Sequence, residues 1–266
     1  MKTTLYVFSA TGNSLTTARI LSEKLSARLI SVASTRALAE IQDDSEAIGF
    51  VFPIYYGNMP YPVREMITKM SFRSDSYIFT VSTYRGHAGN VAGRMDALLN
   101  TRGQKLSLSL GLSMPGNSFI NKPEVDAQYL SLQRKNIENL LPLLLAKETH
   151  DYSVNGAIKE TPVDTANNFR GITAEDTCIG CSRCVLVCPM NNIKIENGKA
   201  RIGDRCATCL ACFHWCPVEA IYMSKQENIA RRSKYRHPDV SFEDIVNMKN
   251  RATPAEGCSP TAVLLY

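Results

Sequence analysis

Eight of the chain's nine cysteines fall into two runs with one spacing. Cys178, Cys181, Cys184 and Cys188 read C-x2-C-x2-C-x3-C, and Pro189 follows. Cys206, Cys209, Cys212 and Cys216 repeat those intervals, and Pro217 follows. Three thiolates at i, i+3 and i+6 on a tight loop can surround one cubane iron–sulfur cluster. The fourth corner must come from elsewhere, and in runs of this kind the fourth cysteine ligates the other cluster. The expected partition is therefore crossed. Cys178, Cys181, Cys184 and Cys216 hold one cluster, and Cys206, Cys209, Cys212 and Cys188 hold the second. Each proline removes a backbone donor and ends the ligand-bearing turn.

Zinc is the competing reading, but its sites usually pair two C-x2-C units about 15–20 residues apart. Four cysteines packed into one short run, twice, with proline after each, favour iron–sulfur ligation. Disulfides fit less well, because no secretory signal is visible and a reducing compartment is expected. The repeat also extends past the ligands. "CIGCSRCVLVCPMNNIKI" and "CATCLACFHWCPVEAIYM" align without a gap, matching Ile193 to Ile221. Duplication of this kind predicts a pseudo-two-fold domain in which neither half buries a core alone.

At 266 residues the chain suits two domains. The cysteine repeat needs only about 50 residues, so a second domain must fill the first half. Residues 1–150 alternate apolar strands with helical stretches. Strands are expected at 3–8, 28–33, 47–53, 76–82 and 105–113, and helices at 14–27, 60–69, 88–102 and 124–148. The alternation predicts a five-stranded parallel sheet with helices on both faces. In the last helix, Ile137, Leu140, Leu141, Leu144 and Leu145 are expected to face the core, with a kink at Pro142.

A second chemical feature stands where the first strand meets the first helix. Ser9-Ala10-Thr11-Gly12-Asn13-Ser14 is entirely small or polar. It offers hydroxyls, an amide and backbone N–H groups at a helix N-terminus, an anion site made of neutral donors. There is no G-x-G-x-x-G and no Walker lysine, so one compact phosphomonoester fits best. The alternative is that Thr11 or Ser14 simply caps the helix. Two more loops, "PIYYGNMP" (53–60) and "STYRGHAGN" (82–90), follow strands at their carboxyl ends, where open α/β sheets bind ligands. Tyr55, Tyr56 and Tyr84 could stack on a flat ligand there, or pack on their own domain.

"SATGNS" resembles the flavodoxin phosphate loop. Residues 1–150 resemble a flavodoxin domain, and residues 173–224 a bacterial two-cluster ferredoxin of α+β fold. With "PIYYGNMP", "MPGNSF" (114–119) and "KYRHPDV" (234–240), the whole chain is similar to the flavodoxin–ferredoxin fusion proteins of anaerobic bacteria and archaea. The resemblance implies two 4Fe–4S clusters and non-covalent FMN, with the phosphate on Ser9, Thr11, Gly12, Asn13 and Ser14. It further implies isoalloxazine contacts from Tyr55, Tyr56, Gly57 and Asn58, from Thr83, Tyr84, Arg85 and Gly86, and from the 114–117 loop with Asn117.

Residues 151–172 are polar and aperiodic and read as a linker. Asn197-Gly198, between short alternating runs, predicts a hairpin. Residues 225–266 form a tail whose stretch Arg231, Arg232, Lys234, Arg236 is basic. It is expected either to be a solvated segment or to dock, holding the two domains together or recruiting an acidic redox partner. Trp215 is expected to pack over its cluster, and Cys258 has no assigned role. None of His87, His150, His214 or His237 is expected to be catalytic.

The formal charge of +5 does not indicate nucleic acid. Each oxidised cubane with its thiolates adds roughly −2 and a flavin phosphate roughly −2, which brings the holoprotein near neutrality. No signal-peptide core or membrane-length apolar run is visible, so a cytoplasmic protein without membrane insertion is expected. The expected function is electron transfer between the clusters and FMN, linking one- and two-electron redox protein partners. The alternative is an FMN-dependent reductase of a small molecule, for which Arg85, His87 and Asn117 are the nearest polar candidates.

Overall fold

The computed structural model describes residues 1–118, 122–152, 172–223 and 233–250. The first unit runs β1 (Thr3–Val7), α1 (Asn13–Leu25), β2 (Arg28–Ser31), β3 (Ile41–Asp43), β4 (Ala47–Pro53), α2 (Tyr61–Thr68), β5 (Met70–Phe72), β6 (Tyr77–Tyr84), α3 (Val91–Asn100), β7 (Leu108–Ser113) and α4 (Pro123–Leu145). Five strands form one parallel sheet in the order β2-β1-β4-β6-β7. Counted along the chain, that is 2-1-3-4-5, the doubly wound order of flavodoxin-like folds. The short pair β3–β5 was not foreseen and forms a separate ribbon.

The sheet divides its residues by the two-residue period of a strand. Tyr6 and Phe8 of the first strand face one core with Ile48, Phe50 and Phe52; helices α2 and α3 cover it through Val63, Met66, Met95 and Leu99. Leu5, Val7, Ala47 and Val51 face the opposite core, covered by Ala18 and Leu21 of α1 and by Ile137 and Leu144 of α4. Each such fully buried side chain contributes roughly 1.5–3 kcal/mol. Helix α4 continues through Pro142 to Leu145. Leu145 is 65 % exposed, a correction to the expected core stripe: it is the helix's last residue and has no layer beyond it.

The second unit contains β8 (Ile172–Ala174), α5 (Arg183–Val187), β9 (Ile193–Glu196), β10 (Lys199–Ile202), α6 (Ala211–His214) and β11 (Ile221–Met223). Strand β8 pairs antiparallel with β11, and β9 with β10. The hairpin at Asn197-Gly198 forms as expected, both residues having positive φ. Ile193 and Ile221, equated by the repeat, each open a strand. A final helix, α7 (Phe242–Asn250), follows an extended strap beginning at residue 233. Of the expected linker, residues 153–171 lie outside the described residues, as do Arg231, Arg232, Cys258 and Phe119. Among the described residues no helix is long and apolar enough to cross a membrane.

Candidate functional site at the junction of the two units

The repeat is conserved in backbone detail that composition does not show. Gly180 and Thr208, Ser182 and Leu210, and Asn191 and Glu219 occupy equivalent positions, and all six have positive φ between 50° and 65°. For Thr208 and Leu210 that conformation is costly, of order 1 kcal/mol or more. It winds each run so that amides turn toward sulfur. The Asn192 N–H donates to Cys188 Sγ at 3.4 Å, and its equivalent, the Ala220 N–H, donates to Cys216 Sγ at 3.3 Å. The Thr208 N–H reaches Cys206 Sγ at 3.4 Å. Such bonds favour the ligating thiolate and raise a cluster's potential.

Mutual fields link thiols across the two runs. Burial pushes the Cys184 thiol up to about 11, and the neighbouring thiols that add to this are Cys178, Cys181 and Cys216. Burial likewise raises Cys206, Cys209 and Cys212, and Cys188 adds to all three. Cys188 of the first run thus acts on the second run's first three thiols, and Cys216 of the second run acts on Cys184, while Cys184 also acts on Cys212. A cage that disfavours free thiolates needs a cationic core to keep them deprotonated. Cys181 is exposed, whereas Cys188, Cys209 and Cys212 are buried, so the two sets differ in access to solvent.

The second feature is a cleft at the carboxyl end of the parallel sheet. It encloses about 1010 Å³, counting its open mouth, and is lined by Ser9, Thr11, Asn13 and Ser14, by Tyr55, Tyr56 and Gly57, by Thr83, Tyr84, Arg85 and His87, and by Met114 to Ser118. All four loops expected from the sequence, 9–14, 53–60, 82–90 and 114–117, converge here. Gly12, Asn58 and Gly86 are not among the lining residues. Asn58 instead closes the turn: its N–H and C=O pair with those of Tyr55 at 3.0 and 2.9 Å. Thr208 of the second cysteine run also lines the cleft, a contribution that no local signal in the sequence announces.

The loop 9–14 has a definite polarity. Helix α1 begins after Gly12 (φ 107°) and no side chain caps it, so the alternative capping role of Thr11 or Ser14 is not what forms. The Ser14 and Thr83 hydroxyls are instead paired at 2.8 Å. Four of the loop's carbonyls find donors outside the loop. Ala10 O accepts from the Trp215 indole at 2.8 Å and Thr11 O from the His237 N–H at 2.7 Å. Gly12 O accepts from Thr16, and Asn13 O from the Thr17 hydroxyl. In a trans peptide the C=O and the following N–H point oppositely. Anchoring these carbonyls turns the following amides the other way, and Thr11, Asn13 and Ser14 line the cleft. First-turn amides have no intrahelical partner, so this donor set suits a phosphate.

Trp215 corrects an expectation. It does not merely cover its own cluster site. It packs into the core of the first unit, with Cys209 and Ala211, and meets Phe242 of α7 at 5.9 Å between ring centres. The strap is likewise more than a solvated basic segment. The Tyr235 hydroxyl donates to Asn13 Oδ1 at 2.5 Å, and His237 Nε2 meets Gln133 Oε1 at 2.8 Å. Lys234 lies over the Phe213 ring, and Arg236 donates to His214 O at 2.9 Å. His214, fully buried, accepts the Tyr235 N–H on Nδ1, so its Nε2–H donates to Asn117 O. Burial lowers the Lys234 and Lys249 pKa values while Cys216 and Cys188 respectively oppose that. Two cations thus lie beside the ligand sets.

The cleft and the second thiol set adjoin. Asn117 Nδ2 donates to Cys209 O at 3.2 Å. The Tyr55 hydroxyl is enclosed without a well-formed hydrogen bond; burial first, then the Cys209 thiol, pushes its pKa well above the ordinary value, and the Asn117 side chain opposes this.

Strand order and ligand loops together define a flavodoxin-like α/β unit joined to a ferredoxin-type unit. Residues 171–217 match the 4Fe–4S dicluster domain family, so the chain carries an iron–sulfur redox module. Among solved structures, a putative flavoprotein from Bacteroides eggerthii is 15% identical, aligned over 54% of this chain and 98% of its own, with TM-score 0.39. A flavodoxin from the domain Archaea is 12% identical, over 53% and 99%, with TM-score 0.31. A WrbA-like flavodoxin from Agrobacterium tumefaciens is 14% identical, over 56% and 100%, with TM-score 0.35. Comparison with curated proteins gave no significant match.

Proposed function

We propose that this protein is an electron-transfer flavo-iron–sulfur protein holding two 4Fe–4S clusters and FMN, and that it links one-electron and two-electron redox partners. When bound, FMN exchanges one or two electrons and each cluster exchanges one. The observation that carries the reading is the shared wall: Thr208, two residues from Cys206, lines the cleft whose other walls are the four flavodoxin-like loops. Ser9, Thr11, Asn13 and Ser14 would hold the phosphate, and Tyr55, Tyr56, Tyr84 and Asn117 would flank the ring. Cys206, Cys209, Cys212 and Cys188 would hold the inner cluster. Cys178, Cys181, Cys184 and Cys216 would hold the outer one, which the exposure of Cys181 opens to a redox partner. With FMN bound, the residues around the cleft would shield the ring face from water and bring it beside the inner ligand set.

An anaerobic redox titration, followed by visible absorbance and EPR, tests this. Cluster and flavin signals that titrate over overlapping potentials, with flavin passing through a one-electron state, support a carrier. Flavin that changes only in two-electron steps and turns over a small molecule moves the reductase reading ahead. Loss of either signal in iron- and FMN-reconstituted protein would reject both.

A further inference from the structure

We infer that the dicluster unit and the strap complete the phosphate loop, with Trp215 and Tyr235 as positioning residues for FMN, so that flavin retention depends on the second unit. The inference rests on the FMN reading above. Three acceptors in the loop are held from outside the first unit: Ala10 O by Trp215, Thr11 O by the His237 backbone and Asn13 Oδ1 by Tyr235. The Ala10–Thr11 peptide is oriented by the Trp215 bond, and that orientation decides where the Thr11 N–H points. Asn13 is fixed from both ends. Its Oδ1 accepts from Tyr235 while its Nδ2 donates to Pro115 O at 2.8 Å. The tyrosine therefore sets the amide's sense and ties the phosphate loop to the fourth loop of the cleft.

The backbone at Gly12 completes the case. A Cβ there would lie 2.6 Å from His237 Cβ and 2.9 Å from Val240 Cβ, so strap and loop are packed face to face. Tyr235, His237 and Val240 are 8%, 2% and 6% exposed. The loop's geometry and the strap's seat are thus one packed structure. By linkage, seating of the strap tightens FMN binding by the same factor by which FMN tightens the strap's seat.

The test uses full-length protein with its clusters in place and only the flavin removed. FMN and riboflavin, which lacks the phosphate, are each titrated back by fluorescence quenching into wild type, Tyr235→Phe and Trp215→Phe, with cluster content checked by iron analysis. The expected result is that Tyr235→Phe weakens FMN by about tenfold while riboflavin affinity stays within about twofold. Equal weakening of both ligands would reveal a merely structural contact and overturn the inference, as would unchanged FMN affinity in cluster-loaded Tyr235→Phe. If Trp215→Phe fails to load clusters, Tyr235→Phe alone decides. A wild type that binds FMN no better than riboflavin refutes the phosphate-site reading itself, and the inference falls with it.

Discussion

The side-chain amide of Asn117 donates to the carbonyl of Cys209 across 3.2 Å, joining the fourth loop of the cleft to the ligand loop of the inner thiol set. The same residue's carbonyl receives the His214 ring at 2.8 Å. Two bonds from one residue therefore fix the spacing between the two proposed cofactor sites. Asn117→Ala removes the first and keeps the second. Loss of one such bond costs about 1 kcal/mol, so a small fall in thermal midpoint is expected with both cofactors retained. The clearer effect is expected in stopped-flow: electrons placed on the clusters should reach the flavin several-fold more slowly. An unchanged transfer rate would show that the bond is not what holds the two sites in register.

The proposed crossing of the ligand sets predicts an asymmetric result for Cys188→Ala. Cys188 stands in the first run but adds to the fields at Cys206, Cys209 and Cys212. The variant is expected to lose the inner cluster and keep the outer one, with iron content about halved. EPR of the reduced protein should change from a coupled pair to a single isolated cluster. Survival of the inner cluster with loss of the outer would contradict the crossing.

Gly12→Ala is expected to be severe. The position has φ 107° and the new methyl would meet His237 and Val240 at 2.6–2.9 Å. Backbone strain alone costs about 1–3 kcal/mol, and the clash adds to it. Both thermal stability and flavin content should fall. Wild-type flavin content in Gly12→Ala would show that the loop tolerates displacement of the strap.

Acid should loosen the strap through His237. The residue is buried against Gln133, and burial above all lowers its pKa; Asp239 opposes this and Arg19 adds to it. The folded protein therefore resists protonating the ring, whereas the unfolded chain takes up a proton near pH 6.5. The unfolded state binds more protons below that point, so stability rises with pH through this window. His237 contributes its full stability above about pH 6.5 and loses it as pH falls toward the depressed folded value. Thermal midpoints measured from pH 7.5 down to 5 should decline, and the decline should be shallower in His237→Gln. Parallel curves would assign the acid sensitivity to other groups.

The sequence by itself determined the parts that depend on short spacing. Thiol intervals along one run are set by covalent geometry, so both ligand runs and their repeat were readable. The apolar runs of β1, β4 and β6 announced strands buried on both faces, and the small polar loop before α1 marked the segment that lines the cleft. The tertiary structure alone decided where the two units meet. The partner of Trp215 is Ala10 and that of Tyr235 is Asn13, contacts between residues some two hundred positions apart that no local pattern encodes. The left-handed backbone at Thr208 and Leu210 was equally hidden, because neither residue type favours it and only the wound ligand loop enforces it. So was the fate of the basic strap: charge made solvent a plausible destination, and the buried Tyr235, His237 and Val240 between its charges fixed it to the fold instead.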